Sequence, residues 1–204
     1  MTTISGRSKI HSVSQSLITV IEGKRIFLRR PEKTDEAEYL ALNRRSASFN
    51  RGLASPPTRP EQFAAFLKRC RGDANACFFI CRRSDGAILG SINLSQIFRG
   101  GFQSAYLGYQ IGAEFAGQGY MTEAIGLMLR YAFTNLKLHR LEANIQPGNI
   151  ASIALVKRAG FVKEGFSRRY LKICGRWRDH ERWAILAEDW RAMKKHKRHQ
   201  KIAS

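Results

Sequence analysis

Two glycines one residue apart, Gly117 and Gly119, stand where a strand pattern gives way to a helix pattern. The first amides of a helix have no intrahelical partner and lie at the positive end of the helix dipole. Because glycine has no Cβ, backbone amides beside it can approach a phosphate closely. We therefore predict an anion-binding turn that includes the first helical residues: Gly117, Gln118, Gly119, Tyr120, Met121 and Thr122.

Two common glycine loops do not match this stretch. A dinucleotide-binding fingerprint would have a third glycine where Thr122 stands, and a Walker A loop would have Lys-Ser/Thr after Gly117. A glycine-rich connection without any ligand remains an open alternative.

A second polar pair follows the turn Pro147-Gly148. Asn149 is well placed to cap a helix, and that structural role explains it fully. Ser152 stands in the first helical turn, where a capping box would have Glu or Gln, so its hydroxyl is free to face a ligand. A solvated or back-bonded serine is an equally open reading.

The elements around these residues follow from hydrophobic periodicity. Tyr106, Gly108 and Gln110 alternate with apolar neighbours along a strand, and Gly108 marks a bulge or a close backbone approach. Alternating strands and helices that give way to an antiparallel end predict an α/β (α+β) fold with a mixed, mostly antiparallel sheet covered by helices. The apolar stripe of the helix after the turn consists of Met121, Ala124, Ile125, Met128, Leu129 and Ala132.

The chain divides into a polar leader over 1–16, one domain over 17–190 and a basic tail over 191–204. Within the domain, the proline-containing loop from Arg44 to Pro60 is a candidate substrate rim, although a plain connector would look the same.

The net charge is +19, from 35 basic and 16 acidic residues. The tail holds six Lys/Arg and no acid, so the remaining 29 basic and 16 acidic residues still give +13. Such a field attracts polyanions, including nucleic acid and ribosomes, and repels polycations.

Cellular location is inferred from cysteines and hydropathy. Cys70, Cys77, Cys81 and Cys174 show no paired spacing, and we expect buried thiols in a reducing cytoplasm. The N-terminus does not read as a signal peptide and no apolar run is long enough for a membrane span, so we expect no membrane association.

The glycine turn resembles motif A of the GCN5-related N-acetyltransferases, Gln/Arg-x-x-Gly-x-Gly/Ala, with Glu114 at the Gln/Arg position. The resemblance implies a six- to seven-stranded sheet with a splayed central strand, and acetyl-CoA as co-substrate with no metal. It also implies that the pyrophosphate binds at the turn and that the splayed strand offers amides to the pantetheine arm from these residues: Tyr109, Gln110, Ile111 and Gly112.

The run from Asn149 to Phe161 resembles motif B of the same superfamily, with Val156 where many members have a proton-donating tyrosine. Together with Gly-x-Trp-Arg-Asp-His before Glu181, it is similar to ribosomal-protein-alanine N-acetyltransferases of the RimJ type over about 22–190. That resemblance implies that Asn149 borders the cofactor and that Ser152 is catalytic, protonating the departing thiolate.

The expected function is acetyl transfer to the N-terminal α-amine of a ribosomal or other protein, with contact to RNA or the ribosome through the basic surface and tail. Alternatives are acetylation of a small-molecule amine and a non-catalytic RNA-binding or ribosome-binding module. No general base is assigned, although His139, Glu142 and Tyr106 lie on strands near the expected cleft.

Overall fold

One open sheet of eight strands forms the middle of the protein, which a computed structural model describes over residues 20–202. The expected leader therefore lies outside the described residues. The strands are β1 (Ile21–Glu22), β2 (Ile26–Arg29), β3 (Ala76–Arg82), β4 (Ile88–Phe98), β5 (Ser104–Ile111), β6 (Arg140–Ile145), β7 (Val162–Ile173) and β8 (Arg176–Leu186).

The strand order is β1-β2-β3-β4-β5-β6-β8-β7, and within the described residues only β5 and β6 pair in parallel. The predicted mixed, mostly antiparallel sheet is confirmed. Its eight strands exceed the predicted six to seven, and one of them is the very short β1, which pairs with β2 through Ile21 and Leu28. Two residues are too few for an alternating pattern to show in the sequence.

Helices cover both faces of the sheet. They are α1 (Glu36–Arg45), α2 (Pro60–Cys70), α3 (Tyr120–Arg130), α4 (Ile150–Ala159) and α5 (Ala187–Ile202). On one face, α1 and α2 pack through aromatic side chains, with the Tyr39 and Phe79 rings 4.5 Å apart. On the other face, α3, α4 and α5 bury Met128, Val156 and Trp190. Among residues 20–202, no helix is both long and apolar enough to cross a membrane.

The apolar stripe predicted for the central helix is buried in the structure. Ala124, Ile125 and Met128 have no exposed surface, and Met121 and Leu129 are also buried. Helix α3 therefore packs on the sheet as its period of 3.6 residues requires.

The chain end departs from the expected boundary at 190. Helix α5 starts at Ala187 and continues to Ile202, and Met193 packs against the same core as the buried Trp190. The first part of the basic tail is therefore a helical extension of the domain.

The central strands separate toward one end. β5 and β6 pair only from Ser104–Tyr106 to Arg140–Glu142, while β5 stays paired with β4 up to Ile111. A wedge-shaped gap thus opens beside the last residues of β5, as expected for a splayed strand. There is no register shift at Gly108, but a Cβ there would lie 3.0 Å from the Asn93 side chain, so this glycine permits close approach.

Candidate active site

The glycine turn leads into α3 with its amides exposed at the helix start. Gly117 and Gly119 have φ values of +74° and +80°, in the left-handed region that favours glycine. The Glu123 amide donates to the Gly119 carbonyl, at 3.2 Å, in the first turn of the helix. The preceding amides have no helical acceptor and form a seat for an anion: Tyr120, Met121 and Thr122.

Arg25 braces this turn from the neighbouring edge of the sheet. Its Nη1 donates to the Gln118 carbonyl at 3.0 Å, and its Nε donates to Glu123 Oε2 at 3.3 Å. Its guanidinium also lies 4.7 Å from the centroid of the Tyr120 ring. These contacts fix the turn and add a positive charge beside it.

The negative charge of Glu114, which stands beside the anion seat, is compensated by an ion pair. Its Oε1 accepts a hydrogen bond of 2.9 Å from Arg45 Nη2, and its backbone carbonyl accepts from the Gln118 side chain at 2.8 Å. The unusual carboxylate in the motif is therefore ion-paired, and the Gln118 side chain is engaged within the turn.

Two of the four amides predicted at the end of β5 and just after it face the gap. The Gly112 amide donates to the Leu89 carbonyl at 2.8 Å, which fixes the alternation of hydrogen bonds between β4 and β5. By that alternation the Gln110 amide also points to β4, while the Tyr109 and Ile111 amides point into the gap. The prediction that the Gly112 amide serves a ligand is wrong, because β4 uses it.

A cleft of about 380 Å³ joins the glycine turn to the gap. The turn and first helical residues that line it are Gly117, Gly119, Tyr120, Met121 and Thr122, and the strand and motif B residues are Tyr109, Gln110, Ile111, Asn149 and Ser152. Gly112 and Gln118 do not line it. Arg158 lines the cleft and was not predicted, although its spacing of three residues from Leu155 on α4 places these two on the same helix face.

Ser152 and Tyr109 bring two hydroxyls together at the gap. The Asn149 side chain accepts from the Ser152 amide at 3.2 Å, so Asn149 caps α4 and leaves the Ser152 hydroxyl unused by the cap. Burial raises the pKa of Tyr109, and the nearby Ser152 hydroxyl offsets part of that rise. The Tyr109 hydroxyl is buried without a fully formed hydrogen bond to any described residue. Val156 is fully buried in the core.

A smaller cavity of about 140 Å³ occupies the gap itself. Tyr109, Asn149, Ser152 and Leu53 line both this cavity and the cleft, so the two spaces meet at the hydroxyls. The remaining residues that line the cavity are Leu107, Gly108, Ala143, Asn144, Ile145, Gln146 and His180. An acyl donor in the cleft and an acceptor in the cavity would therefore meet between β5 and β6.

The loop between α1 and α2, predicted as a rim, borders both spaces. Gln146 Nε2 donates to the Gly52 carbonyl at 2.8 Å and so ties the loop to the end of β6. The tip of the β7–β8 hairpin meets the loop where Ser55 Oγ lies 3.2 Å from Cys174 Sγ. Cys174 is exposed, so the prediction of a buried thiol is wrong for this cysteine, whereas the other three are buried.

Gln110 links the same loop to the sheet. Its Nε2 donates to Tyr39 Oη at 2.9 Å and to Asn43 Oδ1 at 3.0 Å, and Asn43 donates to the Pro57 carbonyl at 2.8 Å. Burial raises the pKa of Tyr39, which keeps this phenol protonated. The Gln110 side chain thus has a structural role, because it helps to hold the rim loop against the sheet.

None of the three candidate bases is well placed to accept a proton in the gap cavity. His139 and Glu142 contact other charged residues away from that cavity, and the Tyr106 phenol stays protonated because its pKa is raised. His139 lies before β6 at the opposite end of the sheet, 3.6 Å from Glu188. Glu142 accepts from Arg140 Nε at 2.9 Å. Burial and then Tyr170 raise the pKa of Tyr106 to about 12.

A larger cavity, of about 540 Å³, lies at the other end of the sheet. Arg30, Arg71 and Arg99 line it, together with Glu32 and Asp73. It contains neither the glycine turn nor the N-terminus of any of the five α-helices, so its size does not make it the better candidate site.

Comparison with known proteins agrees with this geometry. A family profile described as an acetyltransferase (GNAT) domain matches residues 25–162. The chain is 36% identical over 178 residues to the probable N-acetyltransferase YjcK of Bacillus subtilis, covering 83% of this chain and 98% of that protein. It is 44% identical over 103 residues to the ribosomal protein uS5-alanine N-acetyltransferase of Escherichia coli, covering 50% and 53%.

Among solved structures, Mycobacterium smegmatis RimJ in complex with CoA-disulfide superposes with a TM-score of 0.75. The two share 27% sequence identity, over 84% of this chain and 86% of that one. Enzymes of the matched family use acetyl-CoA. This chain belongs to the GNAT family of N-acetyltransferases.

Proposed function

We propose that this protein transfers the acetyl group of acetyl-CoA directly to the N-terminal α-amine of a protein, and that a ribosomal protein is among its acceptors. The observation that carries the choice of acceptor is the chemistry of the cleft and the gap cavity. Among the described residues that line them there is no Asp or Glu, and Arg158 adds a positive charge.

A polyamine or aminoglycoside would enter as a polycation and would meet no compensating carboxylate on these walls. Removing such charges from water without a counter-charge is unfavourable. A single α-amine at a chain end loses its charge more easily, because its ordinary pKa is about 7.7 to 8.0. The net charge of +19 acts in the same direction by repelling polycations from the whole surface.

The relatives support the same acceptor class. The uS5-alanine N-acetyltransferase of Escherichia coli acts, by its name, on a ribosomal protein, and its match covers about half of each chain. The Mycobacterium smegmatis RimJ structure, a complex with CoA-disulfide, supports the binding of coenzyme A by a protein with this fold.

The chain's own residues would then act in defined places. Acetyl-CoA supplies an already activated thioester. The amides after Gly119 would bind its diphosphate, and the Ile111 amide, which points into the gap, would stabilise the oxyanion. Ser152 would donate a proton to the departing thiolate, with Tyr109 beside it. Positioning of donor and amine can supply on the order of 7 to 11 kcal/mol of the barrier.

Contact with RNA or the ribosome is a further part of this proposal. The β7–β8 hairpin carries basic residues next to exposed Phe166 and Trp177, and the described part of helix α5 adds the exposed residues Arg191, Lys194 and Lys195. Basic side chains interleaved with aromatic ones suit a nucleic-acid backbone and unstacked bases. This surface would bring the enzyme to nascent or assembling ribosomal proteins.

The test is thiol release from acetyl-CoA with peptides that begin with Ala or Ser, followed by mass spectrometry to locate the acetyl group. A matched peptide with a blocked α-amine and an internal lysine is the control. We expect acetylation of the free α-amine and none of the control peptide. Turnover of spermidine or an aminoglycoside without turnover of any peptide would contradict the proposal and favour the small-molecule alternative.

A further inference from the structure

His180 combines burial with a place on the wall of the gap cavity. It lies on β8, its residue is only 3% exposed, and it lines the cavity together with Ser152, Tyr109 and Asn144. A buried histidine that faces a polar cavity is in reach of whatever occupies that cavity.

The hydrogen bond of its ring assigns the tautomer. His180 Nδ1 lies 3.0 Å from the Arg178 carbonyl oxygen, which can only accept, so in the neutral ring Nδ1 carries the proton. The Nε2 atom then holds a lone pair and has no hydrogen-bond partner among the residues whose side chains the structure describes. The Tyr170 ring packs edge-on at 6.0 Å and limits rotation of the imidazole.

The neighbouring acids and bases are less suited to take a proton in the cavity. From β6, Glu142 is ion-paired with Arg140, and from β5 the pKa of Tyr109 is raised by burial. From β7, Tyr170 presents its ring. On β8 itself, the adjacent Asp179 accepts from the Arg169 amide, Glu181 pairs with Lys163, and the nearby arginines Arg178 and Arg182 are always protonated.

We infer that His180 is the general base of the acetyl transfer, a role that rests on the proposed function. The amine nitrogen forms a bond to the acetyl carbon, the carbon–sulphur bond breaks, and the amine proton passes to His180 Nε2. The coenzyme A thiolate takes a proton from the Ser152 hydroxyl, which regains one from solvent, and the imidazolium returns its proton to solvent.

The test compares three variants of the full chain in peptide acetylation. In His180→Asn, the side-chain amide can still donate to the Arg178 carbonyl, but no atom replaces the proton-accepting lone pair of Nε2. We expect kcat to fall about 100-fold or more, with the CoA dissociation constant changed by less than about threefold. In His180→Ala, added imidazole should restore the rate at least about tenfold. Glu142→Gln, which removes the rival carboxylate, should keep a rate within about threefold of wild type.

The outcomes separate the two proposals. If the wild-type protein releases no thiol with any α-amine peptide, the proposed function fails. If the wild type is active and His180→Asn keeps its rate, or if imidazole does not raise the rate of His180→Ala, the role of His180 is overturned. Should His180→Asn not fold, the imidazole response of His180→Ala decides.

Discussion

The guanidinium of Arg25 donates a 3.0 Å hydrogen bond to the carbonyl of Gln118, in the middle of the glycine turn. This contact joins residues 93 positions apart in the chain. It orients the peptide between the two left-handed glycines, and therefore the amides that follow them. The anion seat thus depends on a side chain from the edge of the sheet as well as on its own sequence.

The first prediction concerns Arg25. Arg25→Ala should weaken CoA binding about 5- to 10-fold, because the turn loses a charge-assisted hydrogen bond. Calorimetric titration with CoA measures this effect. Arg83→Ala, which removes an exposed arginine that pairs with Glu22, is the control and should leave the affinity unchanged. Equal affinities in the two variants would show that Arg25 does not support the seat.

The second prediction compares two glycines with the same backbone strain. Gly119 has φ +80° at the cleft, and Gly86 has φ +76° in the β3–β4 turn, outside the lining of the cleft. Alanine at either position should cost about 1–2 kcal/mol of stability, from the left-handed conformation. Only Gly119→Ala should also weaken CoA binding, by about tenfold or more, because its Cβ meets Arg25 and the approaching phosphate. A CoA affinity equally reduced in both variants would point to general destabilisation.

The third prediction separates Ser152 from its cap. Ser152→Ala should lower kcat about 10- to 100-fold while the CoA dissociation constant changes less than about threefold. Asn149→Ala should instead cost about 1 kcal/mol of folding stability, because α4 loses its N-cap. Steady-state kinetics and thermal unfolding distinguish the two effects. An unchanged kcat in Ser152→Ala would remove this hydroxyl from the reaction.

The fourth prediction concerns an ion pair near the surface. The Arg140 guanidinium beside Glu164 holds the pKa of that carboxyl below its ordinary value of 4.5. A lowered folded pKa means that the pair contributes stability above the unfolded pKa and loses it as pH falls through the folded value. Because the Glu164 side chain is 43% exposed, the contribution should be below about 1 kcal/mol.

Urea unfolding at pH 7 and at pH 3 tests this expectation. Glu164→Gln should be less stable than wild type at pH 7, and the difference should shrink at pH 3. Asp73→Asn, an exposed change in the turn after α2, serves as the control. A difference that persists at low pH would mean that Glu164 acts through packing.

The fifth prediction compares a buried with an exposed ion pair. Asp35 is buried and accepts from both terminal nitrogens of Arg29 at 2.7 and 2.8 Å. This contact raises the pKa of Arg29 further. Asp35→Asn should lower the free energy of unfolding by about 3 kcal/mol, because it leaves a half-buried guanidinium without its counter-charge. Asp85→Asn, which breaks the exposed pair with Arg82, should cost much less. Equal losses would contradict the importance of burial.

The features of the fold and the site that depend on a local sequence pattern could be predicted from the sequence. The α3 stripe has a 3.6-residue period and is buried, and the Gly117 and Gly119 positions need the left-handed backbone that glycine supplies. The basic surface likewise follows from composition. These features depend on neighbours within a few residues, so they can be read without tertiary structure.

Other parts depend on tertiary contacts that no local pattern encodes. Arg25 reaches the turn only because β2 lies beside α3, and the Gly112 amide is used by Leu89 because of strand register. The part of α5 after Trp190 was predicted to be a tail, because its many charged residues obscure Met193, which packs against the core. For His180 a signal existed in the Gly-x-Trp-Arg-Asp-His run, but only the fold brings it to the gap.

The most direct test of the account is a crystal structure of the protein with CoA. We predict the diphosphate on the amides of Tyr120, Met121 and Thr122, and the sulphur between β5 and β6 beside Ser152. A diphosphate bound elsewhere, for example in the arginine-lined cavity at the other end of the sheet, would contradict it.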